Sequence, residues 1–305
     1  MIAVLAAMAA STGIGLVLHA RSPAFARRTA TLSLSALLWV LAPFVIVVSL
    51  PHLHVDGTVA VGLAAGYLVA AAVGAAAWSI GTRILRVDAA CTGTVMCAAI
   101  MMNTGYFGLP FVSALLGRGH LTDAIAFDSL VSGPLFYVAG FAIGAAFGAT
   151  GEVAGRARTR QLVLRNPPLL AAVAGLLLPE AASPHVLVDA AHLVVWALLV
   201  LGFVALGVTL AAEASEGALA FPPRLDAQVA TAVALRVGAA PALYLGLTAL
   251  LGGAPTAFRV QEAMPAGINT LVVAHAAGLD LRVASSAIAW STILVAIWGL
   301  AAALT

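Results

Sequence analysis

Ten apolar runs, joined by short polar connections, make up almost the whole of this chain. Each run approaches or exceeds the roughly 20 residues that a helix needs to cross the hydrocarbon core of a bilayer. Only 9% of the 305 residues are charged, whereas soluble domains carry about 25%. We therefore predict an all-α polytopic membrane protein, partnered by the lipid bilayer, with ten transmembrane helices. The approximate spans are 2–18, 31–50, 58–80, 89–116, 124–149, 165–181, 186–212, 227–251, 254–277 and 283–304.

The arginines predict the orientation of the chain, because cytoplasmic loops of membrane proteins are enriched in basic residues. All 14 basic residues are arginines; 11 lie in the odd-numbered connections, 2 in the even-numbered ones, and Arg236 lies inside a span. The odd-numbered connections should therefore face the cytoplasm. Both termini then lie outside a cell (inner) membrane. The net charge of +2 indicates no nucleic-acid partner.

The most basic connection divides the chain into two halves. Residues 1–150 hold five spans, residues 151–164 form the basic cytoplasmic loop, and residues 165–305 hold five more spans. An odd number of spans in each half gives the halves opposite orientations in the membrane. This is the layout of an inverted repeat, and we predict two inverted five-helix repeats.

Spans four and nine are interrupted at matching places in the two halves. Span four contains NTGYFGLP, from Asn103 to Pro110, and span nine contains EAMPAGINT, from Glu262 to Thr270. A proline inside a helix costs ~3 kcal/mol, and lipid offers no partner for the freed backbone groups. Matched interruptions of this kind point to a transporter binding site, where the N-termini of half-helices can hold an anion.

The candidate substrate-binding residues lie in these two interruptions. Asn103 offers donors and an acceptor, which suit either a substrate or the freed backbone. The glycines also suit close packing between helices. The full set of candidates is Asn103, Thr104, Gly105, Pro110, Pro265, Gly267 and Asn269.

Ionisable groups inside spans are a second kind of candidate, because they are rare there and usually functional. Glu262, with its neighbour Gln261, is a candidate for proton or ion coupling. The alternative is a structural pair between Glu262 and Arg236, which the helical rise separates by about 9 Å in depth. Asp128 is expected near the outer face, as an interfacial or solvated carboxylate.

No pattern for catalysis or cofactor binding stands out. The chain lacks the HExxH, GxSxG and P-loop motifs, and Cys91 and Cys97 lack metal-ligand spacing, which favours buried thiols. We therefore expect no enzyme activity, catalytic residue, metal or cofactor.

Three motifs together resemble the auxin efflux carrier family, which includes plant PIN exporters and bacterial permeases. They are NTGYFGLPFVSALLG in span four, RNPPLLAAVAGLLL at the start of span six, and MPAGINTLVVAHAAGLDLRVASSAIAWSTIL through spans nine and ten. The resemblance covers the whole chain in length, span count and motif order. Two features stand out against the family: span seven lacks the proline that the family pattern leads us to expect, and the central loop is short, as in bacterial members and unlike long-loop plant exporters. Plant auxin specificity is therefore not carried over.

The resemblance implies two inverted five-helix repeats whose fourth and ninth helices cross near the substrate. It implies crossover prolines at Pro110 and Pro265 and a substrate-facing amide at Asn103. Spans three to five and eight to ten would form a mobile transport unit. Spans one, two, six and seven would form a scaffold of the kind that often makes homodimers.

Together these observations predict a secondary transporter, a permease for a small organic anion such as a carboxylate, that works by elevator-like alternating access. One alternative is a sodium-coupled bile-acid-type symporter of related fold. Another is a membrane sensor that binds the same solute without transporting it.

Overall fold

A computed structural model of the protein describes residues 1–148, 166–215 and 223–304. The predicted basic loop at 151–164 lies outside these residues. Nearly all of the described chain is helical, and its one β-like feature is an isolated bridge between Met102 and Ala266. The prediction of an all-α fold is confirmed.

Twelve helices follow one another along the described chain, apart from a short 3-10 turn at Glu180–Ala182. They are α1 Ile2–Arg21, α2 Pro23–His52, α3 Gly57–Leu85, α4 Ala89–Ile100, α5 Thr104–Leu116, α6 Arg118–Phe147, α7 Pro167–Leu177, α8 His185–Ser215, α9 Ala227–Leu250, α10 Thr256–Glu262, α11 Asn269–Ala277 and α12 Leu281–Leu304.

Seven of the described helices, α1, α2, α3, α6, α8, α9 and α12, are long and apolar enough to cross a membrane. The chain is therefore a multi-pass membrane protein. The other three predicted spans look different in the structure. Predicted spans four and nine each consist of two shorter helices, α4 with α5 and α10 with α11, and predicted span six is the 11-residue α7.

Five of these helices are preceded by an Asp or Asn residue that caps the N-terminus of the helix. This role explains why acidic residues lie in the connections. A side-chain oxygen of the residue before the helix accepts a hydrogen bond from a backbone N–H of the first turn, and this satisfies a group that the helix leaves unpaired. The distances range from 2.8 to 3.1 Å. The capping residues are Asp56 for α3, Asp88 for α4, Asn166 for α7, Asp226 for α9 and Asp280 for α12.

The helices pack in two groups. In the first group, α1 packs along α8, and α2 packs on both α8 and α7. Gly15 of α1 and Gly207 of α8 meet where a Cβ on either glycine would overlap the backbone of the other helix. In the second group, α4 packs on α3, α9, α12 and the end of α6, while α11 packs on α6 and α12. The candidate site lies between the two groups.

Candidate functional site

The two helix interruptions are hydrogen bonded to each other. The break between α4 and α5 covers Met101 to Asn103, and the break between α10 and α11 covers the residues around Pro265. The Asn103 N–H donates to the Pro265 carbonyl at 2.8 Å, and the Gly267 N–H donates to the Met101 carbonyl at 2.9 Å. Lipid offers freed backbone groups no partner, so each break supplies partners for the other.

Two serines complete the backbone pairing at this crossing. Ser291 of α12 accepts a hydrogen bond from the Ala266 N–H at 3.0 Å. Ser132 of α6 donates to the Met102 carbonyl at 3.3 Å. A Cβ on Gly267 would lie 3.0 Å from the Met102 carbonyl oxygen. The close approach of the two interrupted segments therefore favours glycine at this position.

Pro110 is not at the break, contrary to the sequence prediction of a crossover proline there. It lies inside α5, and the chain leaves the helix at Met101 to Asn103, about two turns earlier. The first turn of α5, Thr104–Gly108, is a wide π-helical turn. Such a turn alters the hydrogen-bond register ahead of the proline, so the helix continues through Pro110.

A cavity of about 100 Å³ opens beside the crossing, between the two groups of helices. One water needs about 10–15 Å³ by this measure, so the cavity has room for a solute of several heavy atoms. Five of the sequence-predicted binding residues line it together: Asn103, Thr104, Gly105, Gly267 and Asn269. The opposite wall is largely apolar and comes from α2, α7 and α8, through residues such as Leu37, Val45, Ile46, Leu169 and Leu198.

Two buried polar groups that line the cavity have no hydrogen-bond partner among the described residues. They are the side-chain Nδ2 of Asn103, a residue only 3% exposed, and the Oγ of Ser129. A buried donor without a partner costs about 1–3 kcal/mol. Both groups are therefore suited to bind a solute or water in the cavity.

The N-terminal ends of two half-helices also reach the cavity. Thr104 is the first residue of α5 and Asn269 the first residue of α11, and both line the cavity. The first N–H groups of a helix have no partner within it, although at α11 the N–H groups of Thr270 and Leu271 donate to the carbonyls of Gly267 and Ile268 just before the helix. Each helix end carries about half a positive charge. The crossing therefore brings two partly positive helix ends to one cavity.

Gln261 and Glu262, the predicted coupling residues, do not line the cavity. Gln261 is fully buried behind it, where its Nε2 donates to the Ala124 carbonyl at 3.0 Å and to the Thr104 carbonyl at 3.4 Å. Pro265 is also absent from the lining; it contributes its carbonyl to the crossing.

Glu262 is paired with Arg236, which is the structural alternative considered above. Arg236 Nη2 lies 2.7 Å from Glu262 Oε1, and both side chains are 1% exposed. The same guanidinium donates to the carbonyls of Ala99 and Glu262, at the C-terminal ends of α4 and α10. The long side chains of the two residues make this contact, and α10 ends at Glu262 itself, next to the interruption of predicted span nine.

Asp128 is in the cavity rather than at the outer face, where the sequence analysis expected it. Its Oδ1 accepts a hydrogen bond from the Thr104 hydroxyl at 2.5 Å. The prediction started this span at residue 124, but α6 begins at Arg118. Asp128 is thus ten residues into the helix, about 15 Å along its axis. It also starts a π-helical turn, Asp128–Ser132, a feature often found at functional sites.

Cys91 and Cys97 are buried free thiols, as predicted. Within the described ranges, no group of three His, Cys, Asp or Glu side chains is placed to hold a metal ion. The expected absence of a metal, cofactor or catalytic residue stays a prediction.

No protein-family model matches the chain, and no curated protein matches it. The resemblance to auxin efflux carriers rests on the three motifs.

Proposed function

We propose that the protein is a secondary transporter that moves a small organic anion across a cell membrane by alternating access. The observation that carries the proposal is the hydrogen-bonded crossing of two helix breaks beside a cavity with unpartnered polar groups. An interrupted helix in a membrane leaves backbone N–H and C=O groups unpaired. This costs several kcal/mol for each group unless the interruption is buried in protein or lines a cavity. Matched interruptions of this kind are typical of transporter sites.

We also propose how the membrane spans are arranged. Ten spans form two inverted five-span repeats, 1–150 and 165–305, with both termini outside. Each repeat then contributes one interrupted span, α4 with α5 and α10 with α11. The pairing of Asn103 with Pro265 supports this arrangement, because it joins the two interruptions in an antiparallel sense.

The position of the cavity supports an elevator-like movement. One wall belongs to α2, α7 and α8, and the other belongs to the crossing and α6. If the second group of helices slides against the first, the polar wall moves and the apolar wall stays. The tight contact of Gly15 with Gly207 holds the first group together as a scaffold.

The polar groups of the cavity favour an anion with a planar oxygen group, such as a carboxylate. The Nδ2 of Asn103 is a buried donor without a partner among the described residues. The end of α5 adds backbone donors, and the ends of both α5 and α11 add partial positive charge. Helix ends of this kind bind anions without a fixed cation.

Sodium-coupled symport is the second candidate function. Gln261 Oε1 and Glu262 Oε2 are buried oxygens without a hydrogen-bond partner among the described residues. Oxygens of this kind suit a small hard cation. Arg236 already balances the charge of Glu262, which favours the anion proposal without sodium.

The test is a thermal-stability screen of the purified protein against acetate, succinate, benzoate and indole-3-acetate, each with and without sodium. A ligand at 100 times its Kd stabilises a protein by about 2.7 kcal/mol. We expect at least one carboxylate to raise the Tm of the wild type and of Gln228→Ala, which removes an amide outside the cavity. Asn103→Ala should abolish the shift while leaving the protein folded.

Three outcomes would contradict parts of this proposal. An equal shift in Asn103→Ala places the ligand elsewhere. A shift that requires sodium supports the symporter instead. Binding without flux in liposomes supports a sensor.

A further inference from the structure

Asp128 is the one formally charged residue among the described residues that line the cavity. Its carboxylate lies against the first turn of α5: it accepts the Thr104 hydroxyl, and a Cβ on Gly105 would lie 3.3 and 3.4 Å from its two oxygens. An acidic side chain therefore occupies the positive end of the helix that would attract a substrate anion. An ionised carboxylate at this place would repel the anion that the protein is proposed to transport.

The surroundings of Asp128 contain no compensating cation among the described residues. The turn that it starts packs against α3, α5, α7 and the neighbouring turns of α6. The titratable groups that interact with it from these elements are Tyr106 of α5 and Tyr137 of α6. Tyr67 of α3 donates to the Leu130 carbonyl in the same turn. The sequence of α7 has no titratable side chain. Each tyrosine offers a hydroxyl, and none offers a positive charge.

The positive charge of the two helix ends can balance one anionic group in the cavity but not two. Two helix ends supply about one positive charge in total. An ionised Asp128 already offsets this charge when the cavity holds no anion. A bound carboxylate beside an ionised Asp128 would leave about one negative charge unbalanced, and burial disfavours such a like-charged pair.

We propose that Asp128 is the proton-binding group of the substrate cavity, ionised when the cavity lacks an anion and protonated when an organic carboxylate is bound. The protein would then carry about one proton with each anion. This inference rests on the proposed function and specifies its coupling.

The chemistry of the step is a proton transfer without any other bond change. A proton from water on the open side forms an O–H bond on one Asp128 oxygen as the anion enters. The protonated group then donates this hydrogen to the substrate carboxylate while its other oxygen accepts from Thr104, since a carboxylic acid has one donor and further acceptors. On the far side the anion leaves and the proton returns to water.

The first experiment measures Kd against pH for the same four carboxylates, from about pH 6.5 to about pH 8.5, where all of them stay largely ionised. In the wild type, Kd should rise with pH by up to about tenfold per unit once Asp128 is ionised in the free protein. Asp128→Asn keeps an acceptor for Thr104 and cannot ionise, so its Kd should be independent of pH. Asp123→Asn, on the same helix but outside the cavity lining, should behave as the wild type.

The second experiment counts protons directly and does not depend on a variant that folds. A carboxylate that binds is added to wild-type protein in weak buffer with a pH-sensitive dye. We expect uptake approaching one proton per anion bound at the upper end of the pH range.

The outcomes separate this inference from the function on which it rests. Binding that depends on Asn103, with a flat pH dependence and no proton uptake, would overturn the role of Asp128 and leave the transporter proposal intact. Proton uptake that persists in a folded Asp128→Asn variant would also overturn it. If none of the four carboxylates binds at any pH, both the anion proposal and this inference are wrong.

Discussion

Asn103 and Pro265 lie far apart in the sequence, yet the Asn103 N–H donates to the Pro265 carbonyl at 2.8 Å, and both residues are buried. Each residue belongs to a segment that has left its helix, and each segment supplies the hydrogen bonds that the other has lost. The cost of breaking two helices is reduced by breaking them at the same place. The same geometry leaves the Asn103 amide free to face the cavity.

The close approach of the two breaks predicts the effect of adding one methyl group. Gly267→Ala would place a Cβ 3.0 Å from the Met102 carbonyl oxygen, and overpacking of this kind costs about 1–3 kcal/mol. We expect a lower Tm and weaker carboxylate binding. Gly246→Ala is the control, since a Cβ on Gly246 meets nothing within 4 Å. Equal Tm values for the two variants would argue against the crossing.

Arg236 should contribute more to stability than its partner Glu262. Arg236→Met leaves a buried carboxylate unpaired and also removes the donor to the carbonyls of Ala99 and Glu262. Breaking such a buried pair costs about 3–5 kcal/mol. Glu262→Gln retains an acceptor and should lower the Tm by less. Glu262→Gln should also keep carboxylate flux; a folded variant without flux would return Glu262 to the coupling mechanism.

The contact between α1 and α8 predicts a position-specific effect within one helix. Gly15→Ala would push a Cβ into the Val204 carbonyl of α8, whereas Gly13→Ala meets no atom within 4 Å. We expect Gly15→Ala to lower the Tm by an amount that corresponds to about 1–3 kcal/mol. Gly13→Ala should be neutral or slightly stabilising, because alanine is the better helix former. Thermal unfolding in detergent compares the two, and a neutral Gly15→Ala would contradict the packing.

The ion pair at the start of α9 predicts a dependence of stability on pH. Partial burial acts to raise the pKa of Asp226, but the Val229 N–H bond and the Arg282 guanidinium outweigh it and hold this pKa below its usual value. A lowered folded-state pKa stabilises the protein above the unfolded pKa, about 3.9, and that stability is lost as pH falls through the folded value.

Asp226→Asn keeps the helix cap but removes this charge, so it should lower stability at about pH 7 by up to about 1 kcal/mol, as for other partly exposed pairs. The difference between variant and wild type should shrink as the pH falls below about 4. Chemical unfolding of both proteins at about pH 7 and below about pH 4 measures this difference in unfolding free energy. A difference that grows in acid would contradict the sign.

The sequence predicted those parts of the site that depend on local chemistry. The cluster of Asn, Gly and Pro in each of two apolar runs predicted two interrupted helices, because these residues disfavour a continuous helix. Span six was predicted to start at residue 165, and α7 does begin close to that residue: Asn166 caps the helix and Pro167 is its first residue.

The parts that the sequence analysis missed depend on which segments meet in space. Nothing local to Met102 or Ala266 indicates that they pair. The cavity position of Asp128 was missed because the span was predicted to start at residue 124, whereas α6 already begins at Arg118. The available signal was the distance along the chain: a helix that begins at Arg118 has Asp128 ten residues inside it. Pro110 was misplaced because a wide helical turn accommodates a proline without a break.

Flux into liposomes tests the central claim most directly. Purified protein is reconstituted, and uptake of the radiolabelled carboxylate that best stabilises it is followed over time and concentration. The account predicts saturable uptake by the wild type and by Gln228→Ala, and uptake at the level of empty liposomes for folded Asn103→Ala. Uptake by Asn103→Ala equal to the wild type, or no uptake by a wild type that binds the solute, would contradict transport at the crossing of the two broken helices.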